Sequence, residues 1–274
     1  MQGNRRPLDW IVALAFVAGL CALGAMFRTP SQPLVVVPPL PQTPVDPSLP
    51  RVLVFTRTMK YRHQSIPAGV LAVHDLGQGK WTTEHTEDAG AFTPENLKRY
   101  AAVVFLSTTG DVLDAAQQKA FEDYVHAGGG FAGVHAAADT EYEWPWYGQL
   151  VGGWFRDHTR VIPNRVKVED ADDISMRGMP NPWPHDDEWY AYRSNPRPNV
   201  HVLGSIDDSL TGESNMGGDH PITWKHAFEG GRAWYTGMGH TKESFADPVM
   251  RGHVQGGILW AAGLVNDDGS PKAR

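Results

Sequence analysis

The chain has 274 residues, 41% of them hydrophobic and 10% aromatic, enough to bury the core of one ordinary domain. A net charge of −7 and a pI near 5.9 give no basic face, which excludes nucleic acid as a partner. The one cysteine, Cys21, lies in an N-terminal apolar run, so the folded part has no disulfide, no thiolate metal site and no cysteine nucleophile.

Arg5 and Arg6 precede an apolar stretch from Trp10 to Phe27, closed by Arg28. At about 1.5 Å of rise per residue this run spans roughly 27 Å, close to the hydrocarbon thickness of a bilayer. No Ala-x-Ala site follows it, and Leu20 before Cys21 spoils a lipoprotein motif. Residues 1–28 are therefore expected to be an N-terminal membrane anchor holding the domain outside the cytoplasm. The alternative is a signal segment cleaved on export, leaving a secreted or periplasmic protein. Residues 29–50 carry eight prolines and read as a stiff polyproline spacer.

From Arg51 the pattern changes. Val52–Thr56 and Ala101–Ser107 are short apolar runs suited to buried parallel strands. Ser65–Leu76 reads as a helix, Trp81–His85 as a strand, and Thr93-Pro94 as a capped helix start. Asp114–Ala127 is an amphipathic helix stopped by Gly128. Alternating strands and helices predict a parallel sheet covered on both faces, with its site beyond the carboxyl ends of the strands. The second half is less regular. Val166–Val168, Val200–Leu203, Pro221–Trp224 and Arg232–Thr236 read as strands, Glu229-Gly230-Gly231 as a hairpin turn, and Val249–Ala262 as a closing helix. One domain, 51–265, and a polar tail, 266–274, complete the organisation.

Gly128–Ala137 has the form of a strand, a sharp turn and a helix start, the arrangement in which related folds present a Ser or Cys nucleophile. Here the turn holds His135, which can act as acid, base or metal ligand but cannot form the usual acyl-enzyme. His63 and Ser65 precede a helix whose free N–H groups can bind an oxyanion, Ser65 being equally suited to cap it. His158 follows a tryptophan-rich loop. Asp186 and Asp187 read as a solvated acidic turn, whereas Trp189 and Tyr190 suggest partial burial of Glu188. Gly237-Met238-Gly239 brings backbone close to whatever His240 meets. Trp144, Trp146, Trp154, Trp183 and Trp189 suit either a core or the packing of sugar rings.

Taken together, Tyr61–Ile66, Gly128–Thr140, Gly153–His158, Asp187–Tyr190, Pro221–Trp224 and Gly231–His240 make residues 51–265 resemble a ThuA-like (trehalose-utilisation) domain of the class I glutamine amidotransferase-like superfamily. The chain departs from that pattern at Trp189 and in the tryptophan-rich insert at 144–147. The resemblance implies a three-layer α/β/α, flavodoxin-like fold with a mainly parallel central sheet. It also implies that His63, His135, His158, Glu188, Trp224 and His240 surround one pocket, and that the ligand is a small carbohydrate, including sugars oxidised at C3.

The expected function is cleavage or elimination of a glycoside or 3-keto-glycoside by His/Glu acid–base chemistry, and not amidotransfer. His135, Glu188, His240 and His63 are the expected catalytic groups, and Ser65, His158, Trp224, Trp189 and Tyr190 the substrate-binding ones. Two alternatives remain open. One is a carbohydrate-binding module without catalysis. The other is a metal-dependent hydrolase, since three histidines and a carboxylate are the right donors for a divalent metal, although no His-x-His or His-x-x-x-His pair brings them together.

Overall fold

The computed structural model describes residues 35–41, 46–266 and 269–272. The Trp10–Phe27 run lies outside them, and among the described residues no helix is long and apolar enough to cross a membrane. In chain order the first half comprises β1 (Arg51–Phe55), α1 (Ile66–Leu76), β2 (Thr82–Thr86), α2 (Pro94–Leu97), β3 (Ala102–Leu106), α3 (Ala115–His126), β4 (Gly130–Val134) and α4 (Pro145–Val151). The second comprises β5 (Phe155–Val168), β6 (Trp183–Tyr192), β7 (His201–Ile206), β8 (Pro221–Phe228), β9 (Gly231–Thr236) and α5 (Pro248–Ala261).

All nine strands join one sheet in the order β2-β1-β3-β4-β9-β8-β7-β5-β6. Pairing is parallel from β2 through β9 and antiparallel from β9 through β6. The expected mainly parallel sheet is thus corrected to a mixed one, in which only four of eight neighbouring pairs are parallel. The reason lies in the connections: β5–β6 and β8–β9 are joined without a crossover helix and can only return antiparallel.

The parallel half has helices on both faces, which is why its strands read as unbroken apolar runs. Val52, Val54, Val104 and Leu106 pack toward α1 and α5 through Val70, Val73, Val254 and Ile258. Leu53, Phe55, Val103, Phe105 and Phe131 point the other way, toward Leu97 of α2, Phe121 of α3 and Leu150 of α4. Helix starts follow the local chemistry. Thr93 Oγ1 accepts the Asn96 N–H at 3.3 Å, and Asp114 and Gln117 form a reciprocal capping box. Ser65 is the exception: it stands at the N-cap of α1 without accepting a cap hydrogen bond.

The antiparallel half holds one strand that local pattern did not reveal, β6, and one, β5, of which it revealed only the end at Val166–Val168. Strand β5 runs for 14 residues, with register shifts between Phe155 and Asp157 and between His158 and Val161. Strand β6 occupies the expected acidic turn, pairing Tyr190 with His158 and Glu188 with Val161. Within it Asp186 is exposed and Asp187 is fully buried, so the solvated reading fits the first and fails for the second.

Candidate functional site

Three strand ends of the parallel half and the β5–β6 ribbon meet at one place. The loop after β1 brings Tyr61 and His63, the turn after β4 brings His135, and the loop after β9 brings His240. The ribbon delivers Phe155, His158, Glu188 and Tyr190. A cavity of about 340 Å³ opens there, lined by Tyr61, His63, Asp139, Phe155, His158, Glu188, Tyr190 and His240. That size lies within the range of small-molecule sites.

His135 lies beneath the cavity, fully buried, with φ of +52° at the start of a short 3-10 turn, His135–Asp139. A left-handed backbone costs a non-glycine residue about 1 kcal/mol. Two contacts hold it there: the Tyr235 hydroxyl donates to the His135 carbonyl at 2.9 Å, and His135 Nδ1 donates to the Gly237 carbonyl at 2.8 Å. With Nδ1 carrying that proton, Nε2 turns to His240 Nδ1 at 3.3 Å and to Glu188 Oε2 at 3.5 Å.

Glu188 is the hub. Its Oε2 is 3.0 Å from His240 Nδ1, and its Oε1 is 3.0 Å from His158 Nδ1. Burial opposes its ionisation, but the His135 and His240 imidazoles beside it outweigh that and hold the carboxyl well below the usual range. His63 packs edge-on against His135 and His240, with ring centroids 4.7 and 5.3 Å away. Burial, joined by the charges of its histidine neighbours, pushes its imidazole down to about 2, so it is neutral. His240 goes the other way: burial lowers it, and the Glu188 carboxylate more than compensates.

His158 differs from the other three imidazoles in being half-exposed. Its Nδ1 lies 2.7 Å from the Thr159 carbonyl as well as beside Glu188, which assigns the proton to Nδ1 and leaves Nε2 with a free lone pair. Across the cavity wall, Asp139 accepts the Tyr142 hydroxyl at 2.7 Å. Burial raises its carboxyl above the usual range despite that hydrogen bond.

Of the expected site residues, His63, His158, Glu188, Tyr190 and His240 line the cavity and His135 sits directly behind it. Ser65, Trp189 and Trp224 do not line it. The buried Ser65 hydroxyl donates to the Gly239 carbonyl at 2.9 Å, fixing the His240 loop instead of offering an oxyanion hole. The Trp189 indole donates to the Ile162 carbonyl and that of Trp224 to the Val151 carbonyl. Tyr61, Asp139 and Phe155 line the cavity unanticipated, as does no tryptophan. A larger groove of about 580 Å³ near Arg197 has its main charges already paired, Arg197 with Glu169 and Asp219, His220 with Asp208.

A family model described as "ThuA: Trehalose utilisation" matches residues 51–261. Among solved structures the chain is similar to a ThuA-like protein from Bacteroides uniformis, at 24% identity and a TM-score of 0.67, covering 84% of this chain and 98% of that one. A ThuA-like protein from Parabacteroides merdae matches at 19% identity and a TM-score of 0.66, covering 82% and 92%. A β-galactosidase from Bacillus circulans sp. alkalophilus shares the fold over 79% of this chain and 32% of its own length, at 12% identity and a TM-score of 0.52. Comparison with curated proteins finds no match.

Proposed function

This chain belongs to the ThuA family, and from that premise we propose that it is an enzyme acting on a small carbohydrate, cleaving or eliminating at a glycoside or 3-keto-glycoside by His/Glu acid–base chemistry. The observation that carries this reading is the division of Glu188 between the His135–His240 imidazole pair on Oε2 and the half-exposed His158 on Oε1. A carboxylate behind Nδ1–H orients an imidazole and stabilises the cation it becomes, which makes His158 Nε2 the base that faces substrate.

A ketone at C3 acidifies the neighbouring C2–H. His158 removes that proton, the electron pair moves into a C1–C2 double bond, and the C1–O bond to the leaving group breaks. Asp139, kept protonated to higher pH by burial, supplies the proton that the departing oxygen needs. The enolate oxygen formed on the way is stabilised by the Nε2–H of His240, whose Nδ1 lies against Glu188. Tyr61, Phe155 and Tyr190 offer ring faces to the sugar. The extracytoplasmic placement read from residues 1–28 suits glycans arriving from outside.

The test incubates the protein with α- and β-glucosides and their 3-keto forms, following products by mass spectrometry. Product is expected from the wild type, with His158→Ala and Glu188→Gln slower by about 10²–10⁴-fold. Sugar binding without product in the wild type would replace the enzyme with a binding module.

A further inference from the structure

We infer that His63, His135, His240 and Glu188 form a binding site for one borderline divalent transition-metal ion, of the zinc class, at the floor of the cavity. The four side chains each offer one donor atom, and these atoms all lie within 4.8 Å of one another. Metal–nitrogen and metal–oxygen bonds of about 2.0–2.2 Å in a tetrahedral shell put neighbouring donors about 3.3–3.6 Å apart. The observed separations are 3.3 Å for His135 Nε2 to His240 Nδ1, 3.5 Å for His135 Nε2 to Glu188 Oε2, and 3.0 Å for His240 Nδ1 to Glu188 Oε2.

Proton placement makes the same argument independently. His135 spends its one neutral-state N–H on the Gly237 carbonyl, so its Nε2 lone pair faces the lone pairs of Glu188 Oε2 with no hydrogen between them. His63 is buried and its Nδ1 has no hydrogen-bond partner, a costly state for a polar atom. A cation satisfies convergent acceptors that hydrogen bonds here do not. The outer contacts are also those of a metal site: a backbone carbonyl fixes the tautomer of His135, and Glu188 keeps its second oxygen on His158. Three imidazoles and one carboxylate favour zinc, iron(II) or manganese(II) over calcium or magnesium, which prefer all-oxygen shells.

The ligand set comes from four separate segments, which is why no short sequence motif announces it. A fifth coordination position open to the cavity would let the ion polarise a sugar oxygen; that role rests on the carbohydrate reading, and the site itself does not.

The experiment measures metal content of the protein purified without chelator, then titrates chelator-stripped protein with Zn²⁺, Mn²⁺ and Fe²⁺ by calorimetry, and with Co²⁺ by visible absorption. Expected are about one equivalent per chain, a Kd below roughly 1 μM for Zn²⁺, and a Co²⁺ ligand-field spectrum. His63→Ala and Glu188→Gln should each weaken binding about 100-fold or more, while His201→Ala, an exposed histidine away from the cavity, leaves it unchanged. Dissociation constants all weaker than about 100 μM, or binding that survives both ligand variants, would overturn the site. Tight metal with no product from any sugar leaves the site standing and removes the reaction; full turnover by the stripped protein does the reverse for the ion's catalytic role.

Discussion

Asp187 Oδ1 accepts the backbone N–H of His240 at 3.0 Å, so the strand that carries Glu188 also sets the position of the loop that carries His240. The same carboxylate accepts the N–H groups of Gly239 at 2.7 Å and Glu188 at 2.9 Å, and takes further hydrogen bonds from Ser244 and His185. Burial disfavours its charge, but the His185 hydrogen bond leads the contacts that overcome this and keep Asp187 ionised. Asp187→Asn presents an NH2 to donors that need an acceptor. It should lower turnover about 10- to 100-fold and cost about 3 kcal/mol of stability. Turnover equal to wild type would show that His240 is held by other means.

Tyr61 stands at the cavity rim, 46% exposed, with its ring edge-on to His63 at 4.8 Å. It touches none of the groups assigned to proton transfer. Tyr61→Ala should therefore raise KM about tenfold through the lost ring face and leave kcat within about twofold. A fall in kcat with KM unchanged would instead place Tyr61 in the reacting geometry.

His253 gives the fold a pH dependence of its own. It is fully buried in α5, its Nδ1 donates to the Ser175 carbonyl at 2.9 Å, and its Nε2 has no partner. Burial lowers its imidazole from 6.5 to about 4. Above pH 6.5 the residue is neutral in both folded and unfolded chains and stability is unaffected. As pH falls from 6.5 to about 4 the unfolded chain takes up the proton first, and about 3 kcal/mol of stability is lost. Denaturant titrations across this window, compared with His253→Gln, check the slope: the variant's curve should be flatter there.

Gly130 begins β4 where a Cβ would come within 2.1 Å of the Ala261 carbonyl oxygen, a backbone atom that cannot swing aside. Gly130→Ala should destabilise the domain by about 2 kcal/mol or more as α5 is pushed from the sheet. Because the residue lies at the end of β4 opposite His135, KM measured well below the melting temperature should not change.

The parallel half was legible because burial on both faces writes itself locally, as runs such as Val103-Val104-Phe105 bounded by polar turns. His135 stood out for the same reason, a polar residue in an otherwise small and apolar turn. Strand β6 was not legible. Burial of Asp187 depends on groups more than fifty residues away, at Gly239 and His240, that donate to it, and no local pattern records a distant partner. The tryptophans stayed open between core and sugar for a related reason: indoles in irregular sequence serve either, and Trp183, Trp189 and Trp224 are buried in the core. Convergence of His63, His135, Glu188 and His240 was available only through the family resemblance, since four separate segments supply them.

Strand β9, the last of the nine described strands, lies between β4 and β8, in the middle of the sheet. It also ends in the loop that carries His240. A chain growing from its N-terminus makes His63 and His135 early and Glu188 later, yet the two halves cannot be joined until β9 is inserted. The donor set closes with the same step that completes the sheet. Without β9 in its place between β4 and β8, the four donors do not meet.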